Sequence, residues 1–264
     1  MIHTAADGCR IHYETMGRCG PRVLLIPGLG GDGRFWAGVA ADLAGDHRLI
    51  IADHRGAGRS DRPNGPYSIP QIAADMAAIL RETGGPAHVV GHSTGGAVAQ
   101  VLALDHAGLI LTLTLSASWA QADARFVAMF RARAAMIGAG LAEAYQDMTH
   151  VLGHEAAYLE ANAPALAAAV AAAPERLAPF AVTERRVRML LDHDRLADLP
   201  RIAVPALVVA AEADEMCPPP MSRRMAEAIP GATLAMVPGA HFHPAAHPDR
   251  LAGLVRGFIA RTCP

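Results

Sequence analysis

The sequence has little cysteine, few aromatic residues and almost no net charge. Its 264 residues include four cysteines, 5% aromatic residues and a formal charge of −2. The small net charge argues against nucleic acid as a partner. The cysteines show no CxxC or paired Cys/His spacing, which argues against a zinc site or a redox pair. We therefore expect free thiols at Cys9, Cys19, Cys217 and Cys263.

Long apolar stretches are absent too. No run of about 18 apolar residues, the length that a membrane-spanning helix needs, occurs in the sequence. Residues 1–17 also lack a basic segment followed by an apolar one. We therefore expect neither a membrane span nor secretion, and the cytoplasm is the expected location. The chain is nevertheless 52% hydrophobic and 18% charged, which suffices for a large buried core.

Short apolar runs bounded by glycine, proline or aspartate recur along the chain. Asp7 and Gly8 predict a hairpin between the alternating segments 3–5 and 10–15. Near-continuous apolar runs then predict strands that are buried on both faces, as in a parallel sheet covered by helices. These runs are 23–26, 49–52, 88–90, 109–115, 206–210 and 234–237. With helical patterns between them, such as 69–83, they indicate a doubly wound α/β sheet.

The succession of strands is interrupted between Trp119 and Leu199. This segment is rich in alanine, which favours helix. A one-sided apolar stripe is predicted for Phe126, Phe130, Ile137, Leu141 and Met148. We therefore predict a helical cap at 119–199, inserted into an α/β core formed by residues 1–118 and 200–264.

Residues 91–95, Gly-His-Ser-Thr-Gly, follow the predicted strand at 88–90. A helix with small residues at its start is predicted directly after them. Strand, sharp turn and helix form the setting of a nucleophile elbow, in which Ser93 would be the nucleophile. A glycine-rich turn with a capping serine explains the pentapeptide equally well. The choice therefore depends on whether an acid and a base are present elsewhere.

A candidate acid follows the predicted strand at 206–210. Asp214 lies just past the end of this strand, where ligand-facing residues of open α/β sheets are found. We favour it over Glu212 and Glu215 because a short side chain is usual at this turn. A solvated loop carboxylate is the alternative.

A candidate base follows the last predicted strand at 234–237. In this architecture the order along the chain is serine, acid, histidine, and His241 comes after the last strand and a Pro-Gly turn. His243 is its nearest rival and His247 a more distant one. Because the chain has 13 histidines, a surface histidine is the alternative.

An oxyanion site needs two backbone N–H groups aimed at one carbonyl oxygen. Thr94, directly after the serine, is predicted to supply one. The glycine-rich turn after the strand at 23–26 is predicted to supply the other, from Leu29. A phosphate-binding loop is the competing interpretation, but the turn lacks both a GKS ending and a clean GxGxxG.

Five segments together resemble the α/β-hydrolase superfamily over nearly the whole chain. They are LLIPGLGGDGRFW at 24–36, DHRGAGRSDRP at 53–63, VVGHSTGGAVAQ at 89–100, LVVAAEADEMCPP at 207–219 and VPGAHFHPAAHPDRL at 237–251. The resemblance implies an α/β-hydrolase fold, with a mostly parallel, twisted sheet flanked by helices and an inserted helical cap. It also implies a catalytic triad, formed by Ser93, Asp214 and His241.

The resemblance bears on the choice of histidine. In the family, the catalytic histidine commonly stands seven residues before a proline, which matches His241 with Pro248 and disfavours His243. Two prolines commonly follow the aspartate at four and five residues, as Pro218 and Pro219 do here. The sequence departs from the family at the oxyanion turn, where Pro27 replaces the usual histidine. It also departs at Ala240, which replaces the glycine before the catalytic histidine.

A serine nucleophile argues against the dehalogenase and epoxide hydrolase branches, which attack through a carboxylate. The chain is instead similar to small-substrate serine hydrolases: aminoacrylate hydrolases, enol-lactonases and haloperoxidase-like esterases. The resemblance implies hydrolysis of a small ester, lactone or related acyl substrate, such as an amide or carbamate. It implies no cofactor, no metal and a monomer or homodimer. Perhydrolysis, carbon–carbon bond hydrolysis and a non-hydrolysing small-ligand receptor are the alternatives.

The pocket is expected between the sheet and the cap. Its candidate walls, each of which packing alone could also explain, are Phe35, Trp36, Trp119, Phe126, Met129 and Phe130. The loop at 53–60 is typical of the family and is expected to be structural, with Arg55 holding neighbouring loops.

Overall fold

The computed structural model describes residues 1–262. Its strands are β1 (Ile2–Thr4), β2 (Arg10–Met16), β3 (Arg22–Ile26), β4 (Arg48–Ala52), β5 (Ala87–His92), β6 (Ile110–Ser116), β7 (Ala206–Ala211) and β8 (Thr233–Val237). Its α-helices are α1 (Ala37–Leu43), α2 (Ile69–Glu82), α3 (Thr94–Asp105), α4 (Ala124–Gly138), α5 (Ala142–Gly153), α6 (Ala156–Ala161), α7 (Ala163–Ala171), α8 (Ala173–Arg176), α9 (Phe180–Arg188), α10 (Pro219–Ala228), α11 (His243–Ala246) and α12 (Pro248–Thr262). Short 3₁₀ turns lie at Gly33–Trp36, Ala107–Leu109, Met189–Asp192 and Leu196–Arg201. None of the helices in residues 1–262 combines the length and the apolar character that a bilayer crossing requires.

The strands form one sheet in the order β1-β2-β4-β3-β5-β6-β7-β8. β1 and β2 form the predicted antiparallel hairpin, and β2 also runs antiparallel to β4. All pairs from β4 to β8 are parallel. Each predicted strand overlaps an observed one, and the prediction of a mostly parallel sheet flanked by helices is confirmed. The carboxyl ends of β3, β5, β7 and β8 therefore share one edge of the sheet.

Hydrophobic cores cover both faces of this sheet. On the same strand, Val89 packs into the core that contains α2 and α3, while Val90 packs into the core that contains α1 and α12. Leu24 and Leu25 divide between the two cores in the same way. Successive side chains of a strand point to opposite faces. A strand with helices on both sides must therefore be apolar at every position, as the sequence predicts.

Helices α4 to α9 lie between β6 and β7, within the segment predicted as the cap. Phe126, Phe130 and Ile137 are buried along α4, as the stripe predicts. The stripe is wrong beyond that point, because Leu141 and Met148 are 54% and 37% exposed. α4 ends at Gly138 and the chain turns immediately afterwards, so the periodicity does not continue into α5.

The thiols of Cys9, Cys19 and Cys217 are free, as predicted, and Cys9 and Cys217 are buried. Cys263 lies outside the described residues. The loop after β4 is tied to its surroundings by Arg55, which donates to both carboxylate oxygens of Asp75 at 2.6 Å and to Asp7 at 2.7 Å. Arg55 therefore holds neighbouring segments together, as expected from the sequence.

Several histidines are buried inside the folded protein. His193 follows the 3₁₀ turn at Met189–Asp192 and is 5% exposed, and His243 at the start of α11 is 1% exposed. Burial lowers the pKa of His193 to about 4 and that of His243 to about 3, with smaller effects of Arg195 on the first ring and of neighbouring histidines on the second. The folded protein therefore holds both rings neutral at pH values where an unfolded chain would protonate them.

We expect the protein to lose stability as the pH falls from 6.5 towards 4. The folded pKa of each histidine lies below the unfolded one, so the stabilising effect is complete above pH 6.5. It decreases at lower pH, as the unfolded state binds more protons. Each ring contributes a loss of about 1.4 kcal/mol per pH unit in this window. Urea unfolding at pH 7.5 and pH 5.0 measures the difference.

His193→Gln is the matched control, because glutamine can still donate a hydrogen bond to Gln100, the neighbour of the His193 ring. The variant lacks a titrating group at this position. Its loss of stability between the two pH values should be smaller than that of the parent by about 2 kcal/mol. Equal losses in the two proteins would contradict the assignment.

Candidate active site

Ser93 occupies a sharp turn between β5 and α3. Its backbone lies at φ 53° and ψ −118°, in a region that non-glycine residues rarely adopt. A Cβ on Gly91 would overlap the carbonyl oxygen of Gly95, and a Cβ on Gly95 would overlap the carbonyl oxygen of Ile26. Glycine is therefore required on both sides of the serine, because backbone segments meet there.

Hydrogen bonds hold this strained turn in place. The Ser93 N–H donates to the carbonyl oxygen of Ser116 at 2.8 Å, and the Ser118 hydroxyl donates to the carbonyl oxygen of Ser93, also at 2.8 Å. The side chain of Ser93 makes no capping hydrogen bond to α3. The alternative of a helix-capping serine is therefore wrong, and the hydroxyl is available for another role.

The glycine-rich turn after β3 lies against the serine. A Cβ built on Gly28 would lie 3.3 Å from the Cβ of Ser93, and the Gly31 N–H closes the turn onto the Gly28 carbonyl oxygen at 2.9 Å. This turn carries Leu29. Thr94 is the first residue of α3, a position whose N–H has no acceptor within the helix. Both predicted oxyanion donors therefore belong to segments that adjoin Ser93.

Asp214 is buried in the loop that follows β7. It is 3% exposed, and its Oδ1 accepts the N–H groups of Met216 and Cys217 at 2.8 Å each. The neighbouring Glu212 and Glu215 are exposed, and Glu215 pairs with a surface arginine. Of the three acidic residues, only Asp214 is held inside the protein.

His241 follows β8 and faces Asp214. Its Nδ1 lies 2.8 Å from Asp214 Oδ2 and 3.0 Å from Oδ1, and the ring is 2% exposed. A neutral ring that donates Nδ1–H to this carboxylate keeps the lone pair of Nε2 for accepting a proton. The His241 ring centroid is 4.9 Å from that of His92, the residue before Ser93. The aspartate–histidine pair therefore lies beside the elbow.

The rival histidines have other surroundings. His243 Nε2 lies 2.9 Å from the Ser116 hydroxyl, which also lies 3.3 Å from Nδ1 of His92. His247 is exposed. Of the three candidates, His241 is the one that contacts the buried aspartate.

The family assignment rests on sequence as well as on this geometry. The family model described as the alpha/beta hydrolase fold matches residues 21–247. The chain belongs to the α/β-hydrolase family. It is a hydrolase in which a strained serine and a buried aspartate–histidine pair lie at the carboxyl edge of the sheet.

Relatives of this hydrolase include proteins with named activities. It is 35% identical over 253 residues to a protein of Azorhizobium caulinodans named "Putative carbamate hydrolase RutD", with 94% of each chain covered. A protein of the same name from Variovorax paradoxus is 35% identical over 238 residues, covering 88% of this chain and 90% of the relative. Among solved structures, the enol-lactonase of Burkholderia xenovorans LB400 is 25% identical, with a TM-score of 0.90 over 98% of this chain and 100% of the other.

Two of the predicted pocket residues lie in the 3₁₀ turn at Gly33–Trp36. Phe35 is half-buried and stacks on the ring of His92, with 4.9 Å between centroids, and it also meets Phe242 at 6.3 Å. Trp36 is fully buried in the core beside α1 and α12. The hydrolase thus places Phe35 next to the residues around Ser93, while Trp36 packs inside the core.

Of the other four predicted pocket residues, three form one aromatic group and the fourth, Met129, packs beside the same core. Trp119 meets Phe126 with 4.6 Å between ring centroids, and Phe126 meets Phe130 at 4.4 Å. The side chain of Met129 is half-buried. These contacts join α4 to the end of β6, and substrate contact by any of these four stays a prediction.

A cavity of about 270 Å³ lies beside His241. Its walls include Ala240 and Phe242, the two neighbours of His241, together with His154 and Tyr158 from α6 and the segment before it. His154 and Tyr158 stack with 4.1 Å between ring centroids. No group of three or more histidine, cysteine, aspartate or glutamate side chains that could hold a metal ion occurs in residues 1–262.

Two buried arginines lie outside the set of site residues that the sequence predicts. Arg133 on α4 is 3% exposed and Arg186 on α9 is 4% exposed. One signal was available: each occupies an apolar face, three residues after Phe130 and four after Val182, where a hydrophobic residue is expected. Charged side chains are almost never fully buried unless they are paired, so an arginine on an apolar helix face is exceptional.

Replacing a glycine of the elbow should disrupt the turn. We expect Gly95→Ala to lower the free energy of unfolding by roughly 2 kcal/mol or more, because the new methyl group would overlap backbone oxygen atoms that cannot move independently. Gly108→Ala is the control, since its methyl group would have no neighbour within 4 Å. Thermal unfolding of the two variants compares them. The interpretation fails if they are equally stable.

Proposed function

We propose that this hydrolase cleaves a small carboxylic ester, lactone or carbamate-type substrate through a covalent acyl-serine intermediate. The observation that carries the proposal is the buried contact between His241 and Asp214 beside the strained serine. A nucleophilic serine needs a base within reach and a third group that orients the base. The hydroxyl of Ser93, the ring of His241 and the carboxylate of Asp214 would fill these three roles.

In this mechanism Nε2 of His241 accepts the proton of the Ser93 hydroxyl as its oxygen attacks the substrate carbonyl carbon. The oxygen of the tetrahedral intermediate, which carries the negative charge, would accept N–H groups from Leu29 and Thr94. His241 then returns the proton to the leaving alcohol or amine as the carbon–heteroatom bond breaks. Water, activated by the same ring, hydrolyses the acyl-serine. Asp214 would orient the ring and stabilise the transient imidazolium.

The relatives support this range of substrates. The names of two curated relatives specify a carbamate, and that of a solved relative specifies an enol-lactone. Both compounds present a carbonyl carbon bonded to a heteroatom leaving group, which is what the mechanism requires. The proposal therefore covers this bond type, with the ester as the simplest member.

Ser93→Ala should abolish hydrolysis of p-nitrophenyl acetate while leaving the thermal unfolding temperature within a few degrees of the parent. The reason is that the methyl side chain fits the same turn and lacks the nucleophile. A fluorophosphonate probe should label the parent on Ser93 and leave the variant unlabelled. Full retained turnover in Ser93→Ala would reject the nucleophile. Labelling without turnover on any ester, lactone or carbamate would favour a receptor.

His241→Ala should inactivate the enzyme, whereas His243→Ala should retain activity, since only His241 contacts Asp214. Asp214→Asn should reduce kcat by roughly 10⁴-fold, because the asparagine cannot hold the histidine in the required tautomer. The exposed Glu212→Gln provides the matched control and should leave kcat unchanged. Steady-state rates on p-nitrophenyl acetate measure all four variants. An inactive His243→Ala beside an active His241→Ala would reverse the assignment of the base.

A further inference from the structure

Arg186 and Arg133 are buried cations that no carboxylate of the described part of the chain compensates. Arg55, which is equally buried at 3% exposure, shows the usual arrangement, with Asp75 and Asp7 both bonded to its guanidinium. In residues 1–262, no carboxylate oxygen lies within 4.0 Å of Arg186 or Arg133, and the Nε of each has no hydrogen-bond partner. An unpaired buried charge costs several kcal/mol. The fold therefore retains two buried charges that lower its stability, and packing alone does not explain them.

The two arginines differ in how far other contacts satisfy them. Arg133 lies 4.6 Å from the ring centroid of Tyr145 and 5.2 Å from that of Phe130, and it donates to the Thr149 hydroxyl at 2.7 Å. Cation–π contacts of this kind stabilise a guanidinium. Within residues 1–262, the side-chain hydrogen-bond partner of Arg186 is Nδ1 of His54, at 3.4 Å. Arg186 is therefore the less satisfied of the two cations.

His54 cannot neutralise Arg186. Burial, and then the charge of Arg186 itself, hold the pKa of His54 well below its usual range, so the ring is neutral. Burial also lowers the pKa of Arg186 to about 10, which leaves the guanidinium protonated at neutral pH. A positive charge therefore persists in a low-dielectric environment, where its attraction for an anion is strong.

The position of Arg186 relates this charge to the proposed active site. A Cβ on Gly31 would overlap Nη2 of Arg186, so the guanidinium lies directly on the turn that carries Leu29. The same turn adjoins the serine, since a Cβ on Gly28 would lie 3.3 Å from the Cβ of Ser93. A group bound to Arg186 would therefore lie close to an acyl group held at the oxyanion site.

We propose that Arg186 binds a carboxylate of the substrate, so that the enzyme selects small acyl compounds that carry a free carboxylate. This inference rests on the proposed function, because it assigns the substrate class of the same site. The planar guanidinium can donate two parallel hydrogen bonds to a carboxylate. A bound substrate carboxylate would supply the negative charge that no carboxylate in residues 1–262 supplies to Arg186.

The test compares ester pairs of equal chain length. Mono-4-nitrophenyl esters of succinic, glutaric and adipic acid carry the carboxylate, and 4-nitrophenyl butanoate, pentanoate and hexanoate are their neutral counterparts. Ser93→Ala supplies the background rate for each compound. At least one anionic ester should exceed its neutral counterpart in kcat/KM for the parent. Arg186→Met should reduce that value by on the order of 100-fold and change the neutral ester less than threefold.

Two variants separate recognition from packing. Arg186→Lys keeps the charge without the planar group and should give intermediate values for the anionic ester. Arg188→Met removes an exposed arginine of the same helix that pairs with Glu184, and it should leave both esters unchanged. Thermal unfolding should show Arg186→Met to be as stable as the parent or more so, since an uncompensated buried charge is removed. A loss of stability with equal loss on both esters would make Arg186 structural and overturn the proposal.

A binding measurement tests the role of Arg186 without requiring turnover. Adipate should raise the unfolding temperature of Ser93→Ala, while neutral adipamide at the same concentration and ionic strength should not. The double variant Ser93→Ala/Arg186→Met should not respond to adipate. If neither ester class is cleaved above background, the proposed function fails, and this measurement still decides the role of Arg186. The inference would be overturned if the parent enzyme prefers no anionic ester and adipate does not shift the unfolding temperature of Ser93→Ala.

Discussion

The site depends on the close approach of three backbone segments at the carboxyl edge of the sheet. The end of β3, the turn at Ser93 and the start of α3 meet where Gly91 and Gly95 leave no space for a methyl group. This approach imposes the strained conformation of Ser93, which costs of order 1–3 kcal/mol. The strain persists because β5, which ends directly before Ser93, is paired with β3 on one side and β6 on the other. The serine hydroxyl is consequently left free of helix capping. The chemistry proposed for it thus follows from the packing of the backbone.

Most of the fold could be predicted because burial on both faces imposes a simple pattern. Every residue of a strand such as β5 must avoid water, so short apolar runs identify the parallel strands. The helices between β6 and β7 were harder to predict, because alanine favours helix without indicating which face packs. Leu141 and Met148 illustrate the difficulty: the spacing continues through them, but the chain turns after Gly138 and both side chains face solvent. Periodicity predicts packing only within a single helix.

Asp214 and His241 could be placed from the sequence because each follows a strand whose carboxyl end lies at the same edge. The chain order alone left His243 as a rival of His241. Contact with Asp214 distinguishes them, and that contact depends on the three-dimensional path of two loops. Arg186 could not be recognised as buried, since an arginine on a short amphipathic helix is usually solvated. Only its position on the apolar face, four residues after Val182, was informative.

The α/β core and the helices between β6 and β7 contribute different kinds of group to the proposed reaction. The core offers backbone N–H groups and three side chains that would act on any activated carbonyl compound, so they provide little selectivity. Arg186 comes from α9, within the helices between β6 and β7, and lies against Gly31 and Gly56. A hydrophobic residue there would join the two parts at lower cost, since a buried charge without a partner opposes folding. The arginine is therefore better explained as a binding group. Its buried charge destabilises the free protein, and a bound substrate carboxylate would offset that destabilisation.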